Sequence, residues 1–329
     1  MKPKTCIAAA FALLALGLAA AEHRLDLRGG AADPKPARTL ASAAAVPETG
    51  VLRQMRLASG AASLPPLAVG DTLALALFDD VERTVVLKER LESPVGGDAF
   101  IATIEGGEGM VSAAVVQTEN GILVDLQDVG KGRVYTVASS AEATLVRELD
   151  PKAGTVTPCR ARVPKLTSCA VEVAAPGRAL SAPPSVEQSS TVVDILVAYD
   201  TGATAWAKAN GGGLADFALV AVTKMNAALA NNGLDEHFRF RLVGTMEVAA
   251  TSDDVEVAID EIEADKPGWS AIRAKRDEVG ADVVSVLIDT GYAFGTTGIG
   301  WSLTKENYAS FADSAYNVCA IRASRSTTR

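Results

Sequence analysis

Apolar residues are spaced in two different ways along this chain, and the change comes near residue 190. Between residues 51 and 150 they alternate with polar or small residues in short runs. Thr72-Leu73-Ala74-Leu75-Ala76-Leu77-Phe78 is the clearest, and 84–87, 100–104, 111–117, 121–126 and 133–137 follow. A period of two predicts half-buried strands. Gly96-Gly97, Glu119-Asn120-Gly121 and Gly130-Lys131-Gly132 separate these runs, and the Asn-Gly pair is a strong hairpin signal. The stretch predicts an all-β meander.

Beyond residue 190 the period lengthens. Residues 191–199 form a continuous β-branched run, the pattern of a strand buried on both faces. Residues 215–232 place Phe217, Val220, Ala221, Met225, Ala228 and Leu229 at helical spacing and stop at Asn231-Asn232-Gly233. Residues 238–243 alternate again, 253–264 and 270–279 are helical, and 281–288 form another strand. Strands alternating with helices predict a mostly parallel twisted sheet with crossover helices. The fold class is therefore α+β overall, an all-β meander followed by an α/β unit.

The remaining segments lack either period. Lys2 and Lys4 precede an apolar run over residues 6–18, and Ala19-Ala20-Ala21 supplies small residues before Glu22. That is the pattern of a secretory signal peptide over 1–21. The run is about half the ~20 residues that span a bilayer with ease. A flexible lead-in is expected over 22–50, the β-rich unit over 51–173, a linker over 174–190 and the α/β unit over 191–329. Pro176, Gly177, Pro183 and Pro184 mark the linker, which reads equally as a site of proteolytic processing or as a spacer.

Charge and chemistry narrow the functions. A net charge of −9 and a pI near 4.9 argue against nucleic acid and anionic membrane as partners. Cys159, Cys169 and Cys319 follow the signal, an odd count that leaves one thiol alone or paired outside the chain. No G-x-S-x-G elbow is present, and these cysteines with His237 lack the close ligand pairs of a structural zinc site. His237 reads as solvated on a polar strand face. Gly211-Gly212-Gly213 makes no phosphate loop and reads as a flexible turn. The acidic helix over 253–264 reads as a solvated face, without the Asp/Asn and Gly spacing of a calcium loop.

Four segments keep a telling order. They are Val193-Asp194-Ile195-Leu196-Val197-Ala198-Tyr199, then Met225-Asn226-Ala227-Ala228 running to Gly233, then Arg276-Asp277-Glu278-Val279-Gly280-Ala281-Asp282 leading into a strand. The last is Gly298-Ile299-Gly300-Trp301-Ser302-Leu303 with Ala315-Tyr316-Asn317-Val318. Together they resemble the upper subdomain of reprolysin-like metzincins, most nearly the secreted bacterial peptidyl-Asp metalloendopeptidases. The β meander is similar, more loosely, to the prodomains of such enzymes.

The resemblance implies a precursor fragment of a secreted zinc metalloendopeptidase, a zymogen that hydrolyses protein or peptide substrates beside acidic residues through metal-activated water. It implies that Gly298, Ile299, Gly300, Trp301 and Ser302 form the substrate-binding edge strand; without it, they read as an ordinary edge strand. Cys159 or Cys169 is either a latency thiol that reaches the zinc or half of a local disulfide. The family's HExxHxxGxxH helix has no counterpart up to Arg329, and the chain holds two histidines, His23 and His237. No catalytic residue and no metal ligand is therefore expected in this chain, and it is expected to be inactive alone. The competing expectation is a non-enzymatic secreted protein that binds or inhibits a protease.

Overall fold

The computed structural model describes residues 20–32, 51–58, 60–106, 110–150, 160–162, 191–290, 297–302 and 314–321. The N-terminal strands are β1 (Glu22–Asp26), β2 (Ala31–Ala32), β3 (Val51–Ala58), β4 (Thr72–Phe78), β5 (Val81–Leu91), β6 (Asp98–Ile104), β7 (Val111–Thr118), β8 (Gly121–Asp128), β9 (Arg133–Ser139) and β10 (Ala143–Leu149). They form one sheet in the order β1-β4-β5-β6-β7-β8-β9-β10-β3-β2. Each of β4 to β10 pairs antiparallel with the next, which is the expected meander. Alternation decides the faces: Leu73, Leu75, Val85, Phe100, Val115, Val124 and Val137 turn inward, and the sheet curls around them.

The expected lead-in needs correction at its start. Residues 22–26 are strand β1, parallel to β4 with Leu25 opposite Leu75. Leu25 and Leu27 are buried in the core. His23 contacts Asp71 at 3.1 Å, and Asp71 also accepts from the backbone of Ala21 and Ala68. Two leucines spaced by one polar residue are too short a pattern to stand out among Ala, Pro and Arg. Residues 33–50 and the linker at 174–190 lie outside the described residues.

The second sheet consists of β11 (Arg160–Arg162), β12 (Thr191–Tyr199), β13 (Phe238–Glu247), β14 (Val283–Ile288), β15 (Gly298–Trp301) and β16 (Tyr316–Ala320), ordered β11-β15-β16-β14-β12-β13. Every pair is parallel except β15 with β16. Its helices are α1 (Thr201–Asn210), α2 (Leu214–Asn231), α3 (Val255–Glu263) and α4 (Ala271–Val279). Successive residues of β12 point to opposite faces. Ile195, Val197 and Tyr199 meet α1 and α2, while Leu196 and Ala198 meet the side carrying α3 and α4. Among the described residues no single helix is long and apolar enough to cross a membrane.

Helix α2 joins the two sheets. Phe217, Ala218, Leu219 and Val222 share one core with Ile195 and Leu242 of the second sheet and with Ala99, Val116 and Leu123 of the first. Polar joints lie around this core. Lys224 of α2 pairs with Asp125 of β8 at 3.0 Å, both nearly buried. Arg147 of β10 donates to Asn210 at 2.5 Å, and Arg239 pairs with Glu89. The Gly211-Gly212-Gly213 turn is packed rather than loose. A β-carbon at Gly212 would lie 2.6 Å from the Ser139 carbonyl oxygen.

Candidate functional site

The segment expected to be an edge strand forms β15. Ile299 points into the core beneath α3 and α4, and Trp301 is half-buried against the same cluster. Gly300 lies flush on β16, where an added β-carbon would be 3.2 Å from that of Asn317. Ser302 follows the strand rather than belonging to it. One side of β15 pairs antiparallel with β16, Ile299 opposite Val318 and Gly300 opposite Asn317.

The other side is not open. Residues 160–162, which fall inside the β-rich unit expected over 51–173, add to the second sheet as β11. Arg160 sits opposite Ile299, Ala161 opposite Gly300 and Arg162 opposite Trp301, in parallel. The reading of β15 as an outermost strand is corrected accordingly: it is an inner strand of this sheet. Arg-Ala-Arg has neither strand period nor apolar content, so its pairing depends on β15 offering unpaired backbone groups. Cys159 and Cys169, the candidate latency thiols, lie outside the described residues.

Beside α2 the two sheets leave a cavity of about 790 Å³. Ser112, Ala114, Asp125 and Gln127 form its wall on the N-terminal sheet, and Ser285, Leu287, Asn317 and Cys319 form the opposite wall. Ser285 donates to Asn317 Oδ1 at 2.8 Å, and the Cys319 thiol reaches the same oxygen at 3.7 Å. Asp125 is only 4% exposed; one carboxylate oxygen binds Lys224, and the other has no hydrogen-bond partner among the described residues. Nothing in the apolar pattern singled these residues out. In Ile122-Leu123-Val124-Asp125-Leu126-Gln127, though, the polar side chains fall at alternate positions, which signals one partly polar face.

Among the described residues the donor set does not fit a catalytic zinc ion. Among the described residues no three of His, Cys, Asp and Glu come together as a metal-binding group. His23 lies on β1 of the first sheet beside Asp71, and His237 is exposed just before β13 of the second. The hydrolytic step is therefore not assigned to any of the described residues.

Buried carboxyls serve the frame. Burial raises the Asp200 carboxyl above its ordinary value, against the backbone donors Ala203 and Ser252 that it caps at 2.6 and 3.2 Å. Burial likewise raises Asp216, which Asn120 of the first sheet partly offsets by a hydrogen bond. The Tyr199 hydroxyl donates to the Leu214 carbonyl at 2.7 Å, and burial holds its ionisation far above the usual range.

No protein-family model matches this chain, and neither does any curated protein. Among solved structures it is similar to metalloproteinase-II from Bacteroides fragilis, with a TM-score of 0.46 and 8% identity over 78% of this chain and 77% of that one. A chaperone–substrate complex gives a TM-score of 0.32 and 12% identity over 78% of this chain and 33% of that one. Likenesses this distant bear on neither chemistry nor site.

Proposed function

We propose that this chain is the precursor portion of a secreted zinc endopeptidase that supplies its peptide-aligning frame. In this reading the ten-stranded sheet is the prodomain, residues 1–21 direct secretion, and β11 covers the edge that peptide substrates would take. The segment order from Val193 to Val318 supports the family, and the backbone pairing of β11 along β15 carries the reading of the edge. An extended strand laid on a sheet edge gains main-chain hydrogen bonds whatever its sequence, so β11 and a peptide would compete for the same groups. Parallel pairing is slightly weaker per residue than antiparallel pairing, and β11 offers three residues. Displacement is therefore feasible.

The test combines binding with hydrolysis. Arg160→Pro with Arg162→Pro removes two backbone donors from β11. Binding of extended Asp-containing peptides, read by fluorescence anisotropy, should tighten roughly tenfold, a free-energy change of about 1.4 kcal/mol. Casein should stay intact with zinc present, with or without chelator. A correctly folded variant with unchanged affinity would remove β11 from the site. Chelator-sensitive hydrolysis by the unaltered chain would reject the division of labour.

A further inference from the structure

We infer that the edge of β15 selects peptides carrying arginine at two alternate positions, through an acidic flank of α3 and the indole of Trp301. The inference rests on the reading of β15 as the peptide-aligning strand. Main-chain pairing admits any sequence, so selection belongs to the groups that flank the added strand on each face of the sheet.

The register settles the face. Residues 160 and 162 pair with Ile299 and Trp301, and paired residues share a face of a pleated sheet. Ile299 is buried on that face with Ala258, Ile259 and Ile262 of α3. Helix α3 lies over β15 and β16, at the end of the sheet where β11 adds, while α4 lies over β12 and β13. Glu261 marks the side of α3 turned towards α4, because it accepts from the indole N–H of Trp269, just before α4, at 3.0 Å. Glu256, Asp260 and Glu263 recur at helical spacing on the opposite flank, the one turned towards the β11 end of the sheet.

Charge then decides the occupant. Carboxylates on one flank attract a cation and repel an anion. Trp301 is half-buried and in register with position 162, and an indole face favours a planar guanidinium, which stacks on it. The strand that occupies the edge has this chemistry: β11 is arginine at both positions on the α3 face, with alanine between them.

The experiment uses the whole chain, unaltered and with Arg160→Pro and Arg162→Pro, and the fluorescence anisotropy of four extended peptides. These share one length and one Asp, and carry arginine, lysine, citrulline or glutamate at two positions separated by one residue. In the proline variant the arginine peptide should bind about tenfold more tightly than citrulline, its uncharged likeness, with lysine between them and glutamate weakest. Raising the salt to about 1 M should close most of that gap, since charges are then screened beyond about 3 Å. Glu256→Gln, Asp260→Asn and Glu263→Gln together should bring the arginine and glutamate peptides to the level of citrulline. The same ranking should appear in the unaltered chain at higher peptide concentrations, so it does not hinge on the proline variant folding. Equal tightening of all four peptides in the proline variant would overturn the arginine preference and leave the edge reading standing. Tightening of none would remove the edge reading itself, and an arginine preference that survives loss of the three carboxylates would overturn the role of α3.

Discussion

Gly212 adopts φ +82 with the Ser139 carbonyl oxygen and the Leu123 side chain where its β-carbon would be. Both the conformation and the space exclude a side chain, so Gly212→Ala should cost about 1–3 kcal/mol. Urea denaturation measures this, and an unchanged midpoint would contradict the close approach. Three glycines in a row announce conformational freedom, and the sequence reading accordingly gave a flexible turn. The neighbour that turns freedom into necessity, β9, lies some seventy positions away and leaves no local trace. The same holds for Asp125. Its polarity is visible in the strand pattern, but its burial against Lys224 is set by α2 packing across the sheet.

At the level of elements, long periodic segments were readable and short ones were not. The strand at 191–199 and the helices expected at 215–232, 253–264 and 270–279 all form within a residue or two. Helix α1 was missed because Thr201, Gly202 and Thr204 are poor helix formers and Trp206 is its only large apolar residue. Its start depends on Asp200, wholly buried, whose carboxylate accepts from Ala203. Because burial raises that carboxyl, the folded state keeps the proton to higher pH than the unfolded chain. Its stabilising share is complete below the ordinary value of 3.8 and is lost as pH rises through the raised folded value. Asp200→Asn keeps a capping oxygen and removes the titration, so the variant should gain stability relative to the parent as pH increases from about 4. Unfolding midpoints of the two proteins across that range provide the check; a constant difference would sink the explanation. Strand β11 was unreadable for another reason, since its pairing belongs to β15 and not to Arg-Ala-Arg.

Across the whole molecule, the division into a β meander and an α/β unit was legible from the change of period, while their union was not. Sequence periodicity reports that a helix has an apolar face; it does not report that α2 has one on each side. Phe217 and Leu219 share a core with Val116 and Leu123 as well as with Ile195. The buried Lys224–Asp125 pair crosses the same seam. Lys224→Met strands Asp125 as a buried charge and should destabilise by on the order of 3–5 kcal/mol, most of it recovered by adding Asp125→Leu. A double-mutant cycle in calorimetry resolves this, and additive losses would mean the pair is not coupled.

Because one helix serves two cores, cutting this polypeptide and parting its pieces are separate events. A protease that severs residues 163–190 would leave both fragments travelling together through a gel-filtration column under native conditions. Only something that peels the first sheet from α2, whether a denaturant or a competing surface, would set the C-terminal piece free.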